Sequence, residues 1–506
     1  MTDLLTQEEY RSIAANLTPA TMSFVNGGFR SASNGETVAT INPATGEEIG
    51  QVAACTAEDV DYAVKKARDA FEDGRWSRLH PTARKEVLIK LCELIKRNAN
   101  ELAVLESLDS GKPILDCVTV DIPEVIHTLA WHAELIDKIY DQTAPVGPDA
   151  VAMVVREPIG VVGAVLPWNF PLLMLAWKIG PALASGCSMI VKPASQTSLT
   201  ALRVAELASE AGLPDGVLNI LTGSGSVVGA AIGQHSGIDM VTFTGSTETG
   251  RRFLRYSADS NLKEVVLEMG GKNPCIVLDD AEDLDRVAEQ VVQAAFWNMG
   301  ENCSAGSRLI VQSGVKGALM DRILDHARQW RTGDPLDPSN QLGALVDKTH
   351  FAKVSEYLQI GKEANHKLVL GGETRDGTYI LPTVFDDVSS EDRLAREEIF
   401  GPILSVITVN SYDEAIKVAN DTPYGLTASV FTANARKSLR AAQALQAGTV
   451  TVNCFGEGDI TTPFGGYKQS GFGGRDNSIH AHDQFTQLKT IWVDLSAEAV
   501  DECQTR

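Results

Sequence analysis

The residues best suited to covalent chemistry in this chain are one thiol, one carboxylate and one amide, each in an unusual local context. Cys303 lies in FWNMGENCSAGSR, residues 296–308, where glycines and small side chains surround the sulfur. A thiol that only fills a core usually sits among bulky aliphatic neighbours, whereas this setting lets substrate and backbone come close. Glu268 stands in VLEMGGKNP, residues 266–274, between an apolar run and a Gly-Gly turn, where an acid can serve as a general base. Asn169 stands in VLPWNFP, residues 165–171, between two prolines that stiffen the backbone around its amide. Nucleophile, base and fixed amide are the parts needed for acyl chemistry through a thioester. Taken singly, Cys303 reads equally as a core thiol, because cysteine is among the residue types most often buried.

The elements that must position these groups can be read from periodicity. Residues 57–71 and 83–108 repeat apolar side chains at helical spacing. Residues 161–166, 188–192, 217–221 and 240–244 are short strand-like runs separated by helical stretches such as 200–211 and 226–234. Such alternation predicts a parallel, doubly wound sheet covered by helices, and a nucleotide-binding domain first. It resumes at 273–278, 283–296, 308–312 and 315–330, then at 403–409, 412–419 and 428–431, predicting a second α/β domain that begins near Gly270. Glu268 and Cys303 then fall close to a border between domains, where ligand sites commonly form. Residues 150–157 and 485–495 are strand-like but fit neither domain. The terminal one, rich in aromatic and β-branched residues, is expected to pair with another chain in a homo-oligomer, with an intramolecular edge strand as the alternative.

Composition narrows the class. The 506 residues are 44% hydrophobic, enough for the cores of two or more domains. A formal net charge of −22 argues against nucleic acid and anionic membrane surfaces as partners, since both attract basic faces. Residues 1–10 show neither a basic nor an apolar leader region, so no secretory signal and a cytoplasmic location are expected. The apolar stretch 159–184 is interrupted by Pro167, Asn169, Pro171, Lys178 and Pro181, which does not suit a membrane span. Eight cysteines without a CxxC pair predict reduced thiols, and nine histidines without ligand spacing predict no catalytic metal.

Two turns fit a dinucleotide. GSGSVVG, residues 223–229, follows a predicted strand and opens a predicted helix, so its backbone N–H groups can approach a phosphate. FTGSTETG, residues 243–250, is a second strand-to-helix turn with small hydroxyl side chains. Each alone also reads as an ordinary tight turn.

Together with IVKPA (190–194), EEIFGP (397–402) and PFGGYKQSG (463–471), these segments make the chain resemble the NAD(P)-dependent aldehyde dehydrogenase superfamily over residues 24–495. The resemblance implies an α/β fold with a Rossmann-type cofactor domain, an α/β catalytic domain and a β oligomerisation segment. The expected division is 1–138 with 158–269, then 270–477, and 139–157 with 478–506. It implies that Cys303 attacks the aldehyde to give a thiohemiacetal and then a thioester, that Asn169 and the Cys303 N–H hold the oxyanion, and that Glu268 activates the hydrolytic water. For NAD or NADP it implies Lys192 at the adenosine ribose, Gly225 and Gly229 at the adenine-side turn, and Ser246 at the diphosphate. Glu398 with Phe400 matches the nicotinamide-ribose clamp. Leu166, Pro167, Trp168, Phe243, Thr244, Gly245, Met269 and Gly270 complete the implied cofactor contacts. Ser195 departs from the pattern: many strictly NAD-using relatives carry glutamate there, and serine removes its repulsion of a 2′-phosphate, with Lys192 available to pair it.

For the aldehyde, Phe170, Trp177 and Phe464 match the family's substrate tunnel, with plain core packing as the alternative. Glu124, Glu457 and Asp459 put acids at the expected tunnel mouth, which would favour an amine-bearing substrate, with solvated surface as the alternative. Residues 466–471 and 485–492 look like the bacterial γ-glutamyl-γ-aminobutyraldehyde and guanidinobutyraldehyde dehydrogenases of polyamine breakdown. The expected function is oxidation of an amine-bearing or medium-chain aldehyde to its acid by a homodimer or homotetramer. A broad-specificity enzyme, a CoA-acylating semialdehyde dehydrogenase and an inactive binding protein remain as alternatives.

Overall fold

The computed structural model describes residues 4–456 and 458–496. Its first sheet has eight strands in the order Gly28–Arg30, Ser23–Val25, Leu218–Ile220, Ser188–Lys192, Val161–Val165, Met240–Gly245, Glu264–Met269 and Gly471–Phe472. The five strands from Leu218–Ile220 to Glu264–Met269 run parallel, and antiparallel strands close both edges. They are Val/Ile-rich with nearly every residue buried, as expected for a parallel sheet covered on both faces. Strand order reverses between Val161–Val165 and Met240–Gly245, and such a switch point opens a crevice at the carboxyl ends of the strands. Asn169 follows one of these ends, and Glu268 is the penultimate residue of another strand, paired with Thr244 and Gly471.

The second sheet has seven strands, ordered Lys367–Leu370, Thr383–Asp386, Ile403–Val409, Arg308–Gln312, Pro274–Val277, Thr427–Phe431 and Thr449–Val452, all parallel but the first. Residues of the first sheet divide between two apolar cores, and a third core holds the second sheet. A third sheet sets Thr486–Asp494 antiparallel to Ala150–Pro158 through nine residue pairs, with Gln142–Ala144 beyond. The terminal strand is thus paired within its own chain along one edge. It still exposes Leu488 and Trp492.

Two helices carry most of the positioning. Pro171–Ser185 starts with proline at its first position, where a missing N–H costs nothing, and ends at Gly186 in the left-handed region, φ 99°. All of its residues except Ser185 are buried, so it has no polar face. Leu284–Phe296 is capped by Asp283, whose side chain accepts the Arg286 N–H, and passes into the short turn Trp297–Gly300. Where the sequence suggests one helix over 226–234, the chain forms a π turn, Gly225–Gly229, before Ala230–Gln234. Among the described residues no helix is long and apolar enough to cross a membrane.

Candidate active site

The turn that delivers the thiol is held in an unfavourable backbone conformation. Asn298, Met299 and Gly300 have φ of 52°, 55° and 68°, a left-handed stretch that costs free energy at each non-glycine residue. The Asn298 side chain holds it by donating to the Asn169 carbonyl at 3.0 Å and to the Glu301 carbonyl at 3.0 Å. Beyond the turn, the Asn273 amide donates to the Cys303 carbonyl at 2.7 Å and to the Ala305 carbonyl at 3.0 Å, while its oxygen accepts the Thr427 N–H. A Cβ on Gly271 would lie 2.8 Å from the Cys303 carbonyl oxygen, so only glycine lets this segment pass so close. The half-buried Cys303 is therefore fixed from both sides by backbone contacts. Its Sγ lies 3.9 Å from Ser304 Oγ.

Cys303, Asn169 and Glu268 line one cavity of about 180 Å³. Asn169 is buried and donates one amide N–H to the Glu301 carbonyl at 2.9 Å, which leaves its second N–H for a ligand. Glu268 is buried, and neither carboxylate oxygen has a hydrogen-bond partner. Burial, and then the nearby Asp476 charge, pushes its pKa well above the ordinary carboxylate value, against the pull of Lys178 and Arg475. Asp476 also lines the cavity and pairs with the Lys178 ammonium at 2.5 Å, both groups being almost fully enclosed.

The walls divide by chemistry. On one side Phe170 packs on Trp297 at 5.3 Å between ring centroids and Trp177 on Phe464 at 5.2 Å, with Leu173 and Met174 from the same buried helix. On the other side stand Pro167, Trp168, Thr244, Gly245, Ser246, Met269, Gly270, Glu398 and Phe400. Glu398 accepts the Gly271 N–H at 2.8 Å, and Gly270 lies so close to its carboxylate that a Cβ would collide. Phe400 has φ 63°, and its carbonyl accepts from His350 Nε2 at 2.6 Å. Burial lowers the His350 pKa to about 4, so the ring is neutral against Trp168 at 4.9 Å.

Other expected residues lie elsewhere. Leu166, Phe243, Lys192, Ser195, Gly225 and Gly229 are outside the lining of this cavity. Leu166 and Phe243 are buried in the sheet, with the Leu166 N–H donating to the Lys192 carbonyl at 3.0 Å. Lys192 Nζ donates to the Pro193 carbonyl at 2.6 Å, and burial lowers its pKa to about 8. Ser195 is exposed and donates to the Gly223 carbonyl at 3.0 Å. Glu124 and Asp459 are also outside the lining: Glu124 is half-exposed 3.7 Å from His127, and Asp459 is engaged by Thr461 of its own loop. Glu457 lies outside the described residues. Sequence reasoning missed Trp297, His350, Lys353 and Asp476 in the lining, and treated Lys178 only as an interruption of an apolar run. Only proximity of Trp297 to Cys303 offered a signal; the others come from distant segments.

The profile of the aldehyde dehydrogenase family matches residues 29–491. The chain belongs to this family. It is 62% identical over 98% of its length to the whole of an aminoacetaldehyde dehydrogenase from Pseudomonas aeruginosa. It is 44% identical over 94% of its length to 96% of the NADP/NAD-dependent aldehyde dehydrogenase PuuC from Escherichia coli. Among solved structures it superimposes on the aldehyde dehydrogenase KauB from Pseudomonas aeruginosa with TM-score 0.96, at 47% identity, covering 97% of this chain and 100% of that one. The protein is an NAD(P)-dependent aldehyde dehydrogenase. Its residues fit such a cofactor. The Thr244 hydroxyl in the cavity wall is buried without a hydrogen-bond partner, and space opens beside Gly225, where a Cβ would touch nothing within 4 Å. The Ser246 turn caps Thr247–Ala258, whose amino end favours a phosphate.

Proposed function

We propose that this aldehyde dehydrogenase oxidises amine-bearing aldehydes through a covalent adduct on Cys303. The observation that carries the chemistry is the meeting of Cys303, Asn169 and the unpartnered Glu268 in one cavity. Cys303 Sγ bonds to the aldehyde carbon, and the oxyanion is met by the second Asn169 N–H and the Cys303 backbone N–H. NAD(P)+, when bound, supplies the acceptor for the hydride that leaves this carbon, and the thiohemiacetal on Cys303 becomes a thioester. Water then attacks the acyl carbon while Glu268 takes its proton, releasing acid and thiol. Glu268 performs this step as the carboxylate, although burial favours its neutral form, so deacylation quickens as pH rises through its elevated pKa.

The amine preference is supported by the 62% identical relative, named for aminoacetaldehyde, and by Glu124 and Asp459, two exposed acids that share His127 as a neighbour. The aromatic lining favours a second reading, a neutral aliphatic aldehyde bound by packing alone. Steady-state kcat/KM for two aldehydes of equal chain length, one amine-terminated and one methyl-terminated, separates them. An advantage of about tenfold or more for the amine supports the first reading, and parity supports the second.

For the cofactor, we infer that both NAD and NADP are accepted, since Ser195 places no carboxylate at its position. We infer a homodimer or homotetramer, a reading supported by the edge strand Thr486–Asp494 of the third sheet, which exposes Leu488 and Trp492. The division into cofactor, catalytic and oligomerisation regions at 269/270, 139–157 and 478–506 belongs to the same reading.

A further inference from the structure

A second, much smaller cavity adjoins the residues that fix the nucleophile. It has a volume of about 10 Å³ and shares no lining residue with the cavity that holds Cys303. Lys272, Asn273, Asn420, Thr422, Tyr424 and Thr427 supply its polar lining. Asn273 is the residue whose amide holds the Cys303 carbonyl at 2.7 Å, and the Thr427 hydroxyl donates to the Ser304 carbonyl at 3.3 Å. The chemistry proposed above uses nothing in this cavity.

Lys272 is the group that calls for a ligand. Five lysines are buried among the described residues, and four of them have an acceptor. Lys112 pairs with Asp121 and Lys178 with Asp476, while Lys192 and Lys263 reach the Pro193 and Gly233 carbonyls. Lys272 is 1% exposed, and its Nζ has no hydrogen-bond partner among the described residues. An enclosed ammonium without an acceptor is costly. Burial, and then the Arg308 charge, lowers its pKa to about 7, so near neutrality its surroundings decide whether it keeps the proton.

Those surroundings favour a negative ligand. In a protein of net charge −22, the lining holds one cation and no carboxylate. The helix Tyr412–Asn420 ends at the cavity, and its last carbonyls would repel an anion if they were free. They are engaged instead. Arg308, whose Cα pairs with that of Pro274 across the sheet, donates to the Val418 and Ala419 carbonyls at 3.0 and 2.8 Å. Lys468 Nζ donates to the Asn420 and Thr422 carbonyls at 2.9 and 3.1 Å. Size then limits the ligand: roughly 10 Å³ of accessible space is the room of one water-sized sphere, too little for a phosphate or a carboxylate. A water would fit but would leave the Lys272 charge uncompensated, whereas a monatomic anion neutralises it.

We propose that Lys272 holds a chloride-sized monovalent anion in this cavity, beside the residues that fix the Cys303 turn. The site stands apart from the reading of the larger cavity and does not depend on which aldehyde is oxidised.

The test uses the full-length enzyme in two measurements. Crystals soaked in sodium bromide should show an anomalous difference peak in contact with Lys272 Nζ. In solution, chloride replacing gluconate at constant ionic strength should raise Tm by roughly 1–2 °C once chloride is about tenfold above its dissociation constant. Lys272→Met keeps the length of the side chain and removes the charge. It should lose the chloride response and, in gluconate, unfold no earlier than the parent, because a buried charge without a partner has gone. Should Lys272→Met not fold, Lys272→Gln is read in its place. A bromide map with no peak at Lys272, a parent Tm indifferent to chloride, or a chloride response that survives the substitution would overturn the proposal. The bromide map of the parent decides the matter even if neither variant folds.

Discussion

Asp476→Asn perturbs stability and proton affinity at the same point. In the parent, Lys178 and Asp476 form a contact of 2.5 Å with side chains 0% and 1% exposed. Breaking a buried pair by removing one charge costs roughly 3–5 kcal/mol, because the other charge stays buried and uncompensated. Asparagine still offers Lys178 an oxygen, which places the expected loss near the low end, about 3 kcal/mol. That is a large share of the ~5–15 kcal/mol by which a folded protein exceeds its unfolded state. Urea unfolding should show it as a lower midpoint with an unchanged slope. The same substitution removes the second-largest reason, after burial, that Glu268 holds its proton, and leaves Lys178 to favour the carboxylate. The pH midpoint of deacylation-limited kcat should therefore move to lower pH. A folded Asp476→Asn enzyme whose midpoint stays in place or rises would refute the electrostatic reasoning, and one with parent stability would refute the energetic part.

Other expectations follow from single contacts. Asn169→Ala removes one oxyanion donor and should slow acylation roughly 10²–10³-fold, seen in the pre-steady-state formation of reduced cofactor. Ser195→Glu should raise the KM for NADP about tenfold or more while sparing NAD, since a carboxylate there meets the 2′-phosphate. His482 sits buried with Nδ1 3.2 Å from Ser185 Oγ, and burial lowers its pKa from 6.5 to about 4. Its folded form refuses a proton that the unfolded chain accepts, so its stabilisation is complete above pH 6.5 and is lost as pH falls toward 4. The loss is about 3 kcal/mol over that window, and His482→Gln should flatten the acid limb of the Tm profile between those values.

How much of this was legible follows from how local each signal is. The strands around 161–166, 188–192 and 240–244 were readable because a strand buried on both faces is a short continuous apolar run bounded by turns. Pro171–Ser185 was not read as a helix, because burial on every side erases the 3.6-residue period; its proline start and Gly186 end were the remaining signals. The edge strands Ser23–Val25 and Gly28–Arg30 are three residues each, too short for any alternation to show. Cys303, Asn169 and Glu268 announced themselves through glycine and proline contexts that the fold does require, as at Gly271. Asp476 and Lys178 could not, since a pair separated by 298 residues exists only once the chain is folded. Glu124 and Asp459, expected at the tunnel mouth, are exposed residues outside the cavity lining, and a mouth position depends on how distant loops meet once the chain is folded.

The division of labour between Cys303 and Glu268 is tested most directly by rapid mixing of Glu268→Gln with NAD and a saturating aldehyde, followed by mass analysis of the quenched protein. With Cys303 as nucleophile and Glu268 as the base of deacylation, one equivalent of reduced cofactor per active site should form at close to the parent rate. Turnover should then stop, with the acyl group on Cys303. Absence of both the burst and the adduct, or steady turnover equal to the parent, would contradict that assignment.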